Sequence, residues 1–155
     1  MLNTLPYEEV KQSTGCQLLP SDWLLVDQAR INLFAEATGD YQYIHVDEAR
    51  AAESELGGTI AHGLLSLSLL PVLAADSLLV PKGMTMGINY GFNKVRFLSP
   101  VRPGDRVRAV ATITEVVEKS PGRLLVTLSL TMEIEGQPKP ALVCEWLNLF
   151  VCPGQ

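Results

Sequence analysis

His45 and His62 are the only imidazoles in the 155-residue chain, and both fall between stretches that read as helices. Asp40 stands five residues before His45, directly after Gly39. On one helix that spacing would turn the two side chains apart. The segment Gly39-Asp40-Tyr41-Gln42-Tyr43-Ile44-His45 reads instead as a loop, which can fold back and bring a carboxylate and an imidazole to one water. Such a pair suits the addition of water to a double bond. One group takes a proton from the attacking water, and the other delivers a proton to the far carbon. The competing reading has Asp40 bracing the turn after Gly39 and His45 as a satisfied, half-buried side chain.

A second feature lies at Ala61-His62-Gly63. If a helix begins at Gly63, its first amides have no intrahelical partners and carry partial positive charge. A carbonyl oxygen docked there would be polarised, and glycine permits its close approach. Five of the twelve basic residues, Lys94, Arg96, Arg102, Arg106 and Arg108, crowd together with only Asp105 among them, in a chain of net charge −5. They suit either a phosphorylated substrate or a solvated strand face. Asp40, His45 and His62 match no dedicated ligand motif, so no metal is expected. Ser66 and Ser68 lack a nucleophile elbow, and Gly57-Gly58-Thr59 does not match a phosphate loop.

The elements that must position these groups change character midway. Leu5 to Gln12 reads as a short helix stopped by Gly15. Asp27 is the expected N-cap of a helix from Gln28 to Thr38, with Ile31, Phe34, Ala35 and Thr38 on one face and Gly39 as its stop. Asp47 is the expected cap of a helix from Glu48 to about Leu56. A third helix, from Gly63 to about Leu79, is apolar all round and is therefore expected to be buried on all sides. Thr85 to Phe97, Val107 to Val117, Leu124 to Ile134 and Val143 to Val151 read as strands joined by turns at Pro121-Gly122 and Glu135-Gly136-Gln137. The sum is an α+β fold, residues 1–155 as one domain: a curved antiparallel sheet around a long buried helix, with edges that favour a dimer.

Composition narrows the functional classes. The acidic balance, with a pI near 5.0, argues against nucleic acid and anionic membrane surfaces as partners. Cys16, Cys144 and Cys152 form no Cys-x-x-Cys pair, so neither a disulfide framework nor a zinc knuckle is expected, and a reducing, cytoplasmic setting fits. Met1 to Pro6 shows no signal-peptide pattern. The apolar run from Gly63 to Val80 is interrupted by Pro71 and Asp76 and lacks basic flanks, so no membrane span is expected.

Phe34-Ala35-Glu36-Ala37-Thr38-Gly39-Asp40, followed by Ile44-His45-Val46-Asp47, resembles the signature of the MaoC-like, (R)-specific enoyl-CoA hydratase family. Gly58 to Leu65 resembles that family's second block, and Asn89 to Phe92, Val95 to Phe97, Pro100-Val101 and Pro103 to Asp105 resemble its sheet region. The likeness is nearest to the nodulation-protein-N-like branch. It implies a hot-dog fold, usually dimeric, and syn hydration of a trans-2-enoyl-CoA to the (R)-3-hydroxyacyl-CoA, with no cofactor beyond the coenzyme A of the substrate. Position by position, it makes Asp40 and His45 the catalytic pair and the Gly63 amide the oxyanion donor, leaving open which of the pair is the base. Tyr41, Gln42, Tyr43, His62, Asn89, Lys94 and Arg96 are the further substrate-binding candidates. The sequence departs from the family pattern at Gln42-Tyr43, where Asn-Pro is usual, so a residue with fixed φ is missing from the loop. A hot-dog thioesterase and a non-catalytic acyl-CoA-binding protein are the alternatives.

Overall fold

The computed structural model describes residues 3–155; Met1 and Leu2, the start of the N-terminal stretch read above, lie outside the described residues. In chain order the elements are β1 (Asn3–Leu5), α1 (Tyr7–Lys11), β2 (Leu24–Val26), α2 (Gln28–Thr38), α3 (Tyr43–Val46), α4 (Glu48–Ala52), α5 (Gly63–Ser68), α6 (Leu70–Ala74) and β3 (Leu79–Pro81). Four long strands follow: β4 (Met86–Phe97), β5 (Asp105–Ser120), β6 (Arg123–Ile134) and β7 (Leu142–Val151). The main sheet runs β2-β5-β6-β7-β4, every pair antiparallel, and β1 pairs with β3 beside it.

Period-two alternation builds the core. Leu124, Val126, Leu128, Leu130, Met132 and Ile134 of β6 are all buried, as are Val107, Ala109, Ala111 and Ile113 of β5. Successive side chains of a strand leave opposite faces, so each set lies on one side of the sheet. Leu65, Leu69, Leu70, Leu73 and Ala74 of the α5–α6 region join them in a single cluster. Each buried leucine contributes roughly 1.5–3 kcal/mol, so the helix is fixed to the sheet by its apolar face.

The central helix departs from expectation in three ways. It is divided at Leu69, two residues before Pro71, whose missing N–H leaves the Leu67 carbonyl without its usual helical donor. It stops at Ala74, and Leu79 belongs to β3. Nor is it buried on all sides, because Leu64 is 60% and Val72 57% exposed. The opening and fourth helices are also shorter than read, ending at Lys11 and Ala52. The three short strands β1, β2 and β3 were not expected; at three residues each they are too brief to show a period. Among the described residues, no helix is long and apolar enough to cross a membrane.

Candidate active site

The expected helix α2 delivers Asp40. The Asp27 carboxylate accepts from the Arg30 amide at 2.8 Å, an N-cap worth ~1 kcal/mol, while Ile31 and Ala35 are fully buried. Gly39, at φ 76°, closes the helix with its amide on Ala35 O, a conformation most side chains disfavour. The chain turns there, and the Asp40 carboxylate accepts the Gln42 amide at 3.3 Å. The expected loop is only partly a loop. From Tyr43 to Val46 it winds into one helical turn, α3, which carries His45 inward while Asp40 stays exposed.

His45 is held in one tautomer. Its Nδ1 lies 2.8 Å from Ile60 O, and a carbonyl only accepts, so Nδ1 carries the hydrogen and Nε2 keeps the lone pair. By the same reasoning His62 Nε2 donates to the Asp40 backbone carbonyl at 3.0 Å, leaving its buried Nδ1 without a partner among the described residues. A carboxylate oxygen of Asp40, a ring nitrogen of His45 and one of His62 lie within 4.8 Å of one another. Burial holds the His45 pKa below its ordinary value; the Ile60 carbonyl and Asp40 pull it upward, and His62 pushes it further down. The imidazole is thus a neutral base near pH 7. His62 lies behind Asp40 at 3% exposure, placed to position the pair more than to meet a substrate. Three donors are also a minimal ligand set for a divalent cation, but tetrahedral zinc would gather them to about 3.4 Å apart.

Sequence reasoning missed Gln28. Its Nε2 donates to His45 O at 2.7 Å, and its Oε1 accepts from Thr59 Oγ1 at 2.6 Å. One amide therefore ties α2 to α3 and to the segment whose Ile60 carbonyl fixes the His45 ring. The only signal available was a polar residue just after the Asp27 cap. The missing proline is offset differently: the Arg50 guanidinium lies 4.0 Å over the Tyr43 ring, so α4 braces the start of α3 through a cation–π contact. Tyr41 is 59% exposed, and Gln42 caps α3 without a side-chain bond.

Gly63 opens α5, and among the described residues no side chain caps its amides. A Cβ at Gly63 would stand 3.0 Å from the Phe97 ring, so what glycine supplies here is room beside Phe97 and not an unusual φ. A cleft of about 240 Å³ runs past Gly63, Ser66, Phe97 and Val101.

The basic cluster does not survive folding as one patch. Cross-strand carboxylates take most of it: Arg108 pairs with Glu133 at 2.7 Å, Arg106 with Glu135 at 3.3 Å and Lys94 with Glu145. Their partners are distant in sequence, which is why only Asp105 was visible as a counter-charge. Arg96 and Arg102 donate to the carbonyls of Val95 and Leu56. Asn89 lines a different cavity and accepts a hydrogen bond from Trp146 Nε1.

Antiparallel strands curled over a central helix define an α+β protein of the hot-dog fold. Residues 9–133 match the MaoC like domain, and the chain belongs to that family of dehydratases and hydratases. It is 44% identical to Nodulation protein N of Rhizobium meliloti over 149 residues, 96% of this chain and 92% of that one. It is 46% identical to 3-hydroxyacyl-thioester dehydratase Z of Mycobacterium tuberculosis over 143 residues, 92% of this chain and 94% of the other. The solved (R)-hydratase of A. caviae superposes with a TM-score of 0.66 at 26% identity, covering 90% of this chain and 96% of that one.

Proposed function

We propose that the protein is an (R)-specific enoyl-CoA hydratase, adding water to a trans-2-enoyl-CoA and removing it in reverse. The observation that carries this reading is the meeting of Asp40 and His45 within 4.8 Å, with His45 presenting a basic Nε2. Water held between them donates one hydrogen to His45 Nε2 and the other to the Asp40 carboxylate. As its oxygen attacks C3, the His45 imidazole takes the proton and the double-bond electrons move to the thioester oxygen. The Gly63 amide stabilises that enolate oxygen. Return of the proton from His45 to C2 on the same face gives a 3-hydroxyacyl-CoA by syn addition, with water's atoms fully accounted for.

The names carried by the relatives above support the reaction class. Coenzyme A enters with the substrate and no separate cofactor is needed. Arg96 and Arg102, whose guanidinium groups donate to carbonyl oxygens, are offered to its phosphates; Lys94 is held by Glu145. The working form is a homodimer joined along β4. That strand ends the sheet order and exposes Met86, Ile88, Tyr90 and Phe97, an apolar edge suited to a second copy. Free Cys16, Cys144 and Cys152 support a reducing compartment such as the cytoplasm.

The test is product analysis. Incubation with a trans-2-enoyl-CoA followed by chiral separation is expected to yield the (R)-3-hydroxyacyl-CoA. Release of free thiol from saturated acyl-CoA, with no hydrated product, would replace hydration by thioester hydrolysis.

A further inference from the structure

The helix-facing row of β7 reads Leu142, Cys144, Trp146, Asn148 and Phe150, all of them buried. Four suit a core and Asn148 does not. It is 5% exposed, and its Nδ2 has no hydrogen-bond partner among the described residues. An unpaired buried amide destabilises a fold, whereas an aliphatic side chain would fill the row without that penalty.

Asn148 forms part of the wall of a cavity of about 220 Å³ between α6 and strands β4 and β7, with Pro71, Ala75, Met84, Asn89 and Trp146. Asn89 is its cross-strand neighbour, with its Oδ1 engaged by the Trp146 indole. Among the described residues no charged side chain lines the space. Of the cavity's lining residues, Pro71 and Ala75 follow Gly63 by about two and three turns of the central helix, rotated from it by roughly 80° and 120° about the axis. β4 runs beside it in the opposite sense, with Phe97 at Gly63 and Gly87 at the cavity. From Gly63 to Pro71 and Ala75 is ~12–18 Å along the helix, the reach of roughly ten to fourteen carbons of an extended chain.

We infer that this cavity is a subsite for a hydroxyl or keto group carried far along the acyl chain, read by the Asn148 amide. The inference rests on the hydratase reading and names its substrate class as oxygenated medium- or long-chain acyl thioesters. An amide both donates and accepts, so it satisfies either group. A terminal carboxylate would be buried there without a cation.

Calorimetric binding of saturated dodecanoyl-CoA and of its counterpart hydroxylated at the far end, to wild type and to Asn148→Leu, tests this without requiring turnover. Wild type is expected to bind the hydroxylated chain about tenfold more tightly, the equivalent of one hydrogen bond. Asn148→Leu is expected to lose that preference while melting no lower than wild type; Asn148→Ala repeats the test should leucine overpack. Equal binding of the two chains by wild type, or a preference that survives in both variants, would overturn the subsite. Crotonyl-CoA, too short to reach the cavity, is assayed alongside for turnover by wild type: its failure would count against the hydratase reading, and flat chain preference against the subsite alone.

Discussion

His62 lies face to face with His45, ring centroids 3.7 Å apart and planes 26° apart, while its Nε2 holds the Asp40 carbonyl. One buried ring therefore touches both members of the proposed pair. Two imidazoles so close resist sharing a positive charge, which adds to the burial that already keeps His45 neutral.

The pH dependence follows with a definite sign. His45 has a folded-state pKa below its ordinary 6.5, so kcat/KM should be level above that pH and fall on the acid side with a midpoint below it. Its contribution to stability runs the same way, present above 6.5 and lost as pH falls through the depressed folded value. His62→Phe keeps a stacked ring without a charge and should move the acid midpoint upward. A pH–rate profile of both proteins checks this; a wild-type midpoint above 6.5 would remove His45 as the neutral base.

Gly63→Ala should lower kcat by ~10²-fold, because its methyl pushes on Phe97 or the start of α5 and so misplaces the proposed oxyanion donor. Adding Phe97→Leu should recover part of the loss by making room. Steady-state kinetics of the single and double variants decides the matter, and an unimpaired Gly63→Ala enzyme would contradict the assigned role.

Gln28→Leu breaks the links to His45 O and Thr59 Oγ1 while leaving the reacting groups in place. The expected result is a kcat lowered about tenfold with KM little changed, since only placement of the base is affected. Gln28→Glu keeps the acceptor for Thr59 and should lie between the two. A change confined to KM would argue that Gln28 acts on binding instead.

Ile88→Lys places a charge on the exposed edge strand β4. Light scattering after size-exclusion should find a dimer for wild type and a shift toward monomer for the variant. A wild-type monomer would remove the proposed β4 interface.

Local chemistry made much of this fold legible. Asp27, Gly39 and Asp47 mark helix ends through bonds that their own side chains or φ angles make, and strict alternation marks β6. What stayed hidden depends on distant partners. Glu133, Glu135 and Glu145 pair with Arg108, Arg106 and Lys94 only once β6 and β7 lie beside them. The one-turn helix α3 is too short to carry a period, and its bracing by Arg50 and Gln28 comes from other elements. Asp40 and His45 could be paired from spacing and resemblance, but the tautomer of His45 needed the Ile60 carbonyl, fifteen residues along the chain.

The most direct measurement of the central claim is the loss of enoyl-thioester absorbance when crotonyl-CoA is mixed with wild type, Asp40→Asn and His45→Gln. Both substitutions keep the size and polarity of the side chain while removing its charge or its basic nitrogen. Rapid loss is expected with wild type, rates lowered by at least ~10²-fold in each variant, and melting temperatures close to that of wild type. Hydration at the wild-type rate in either variant would contradict the claim.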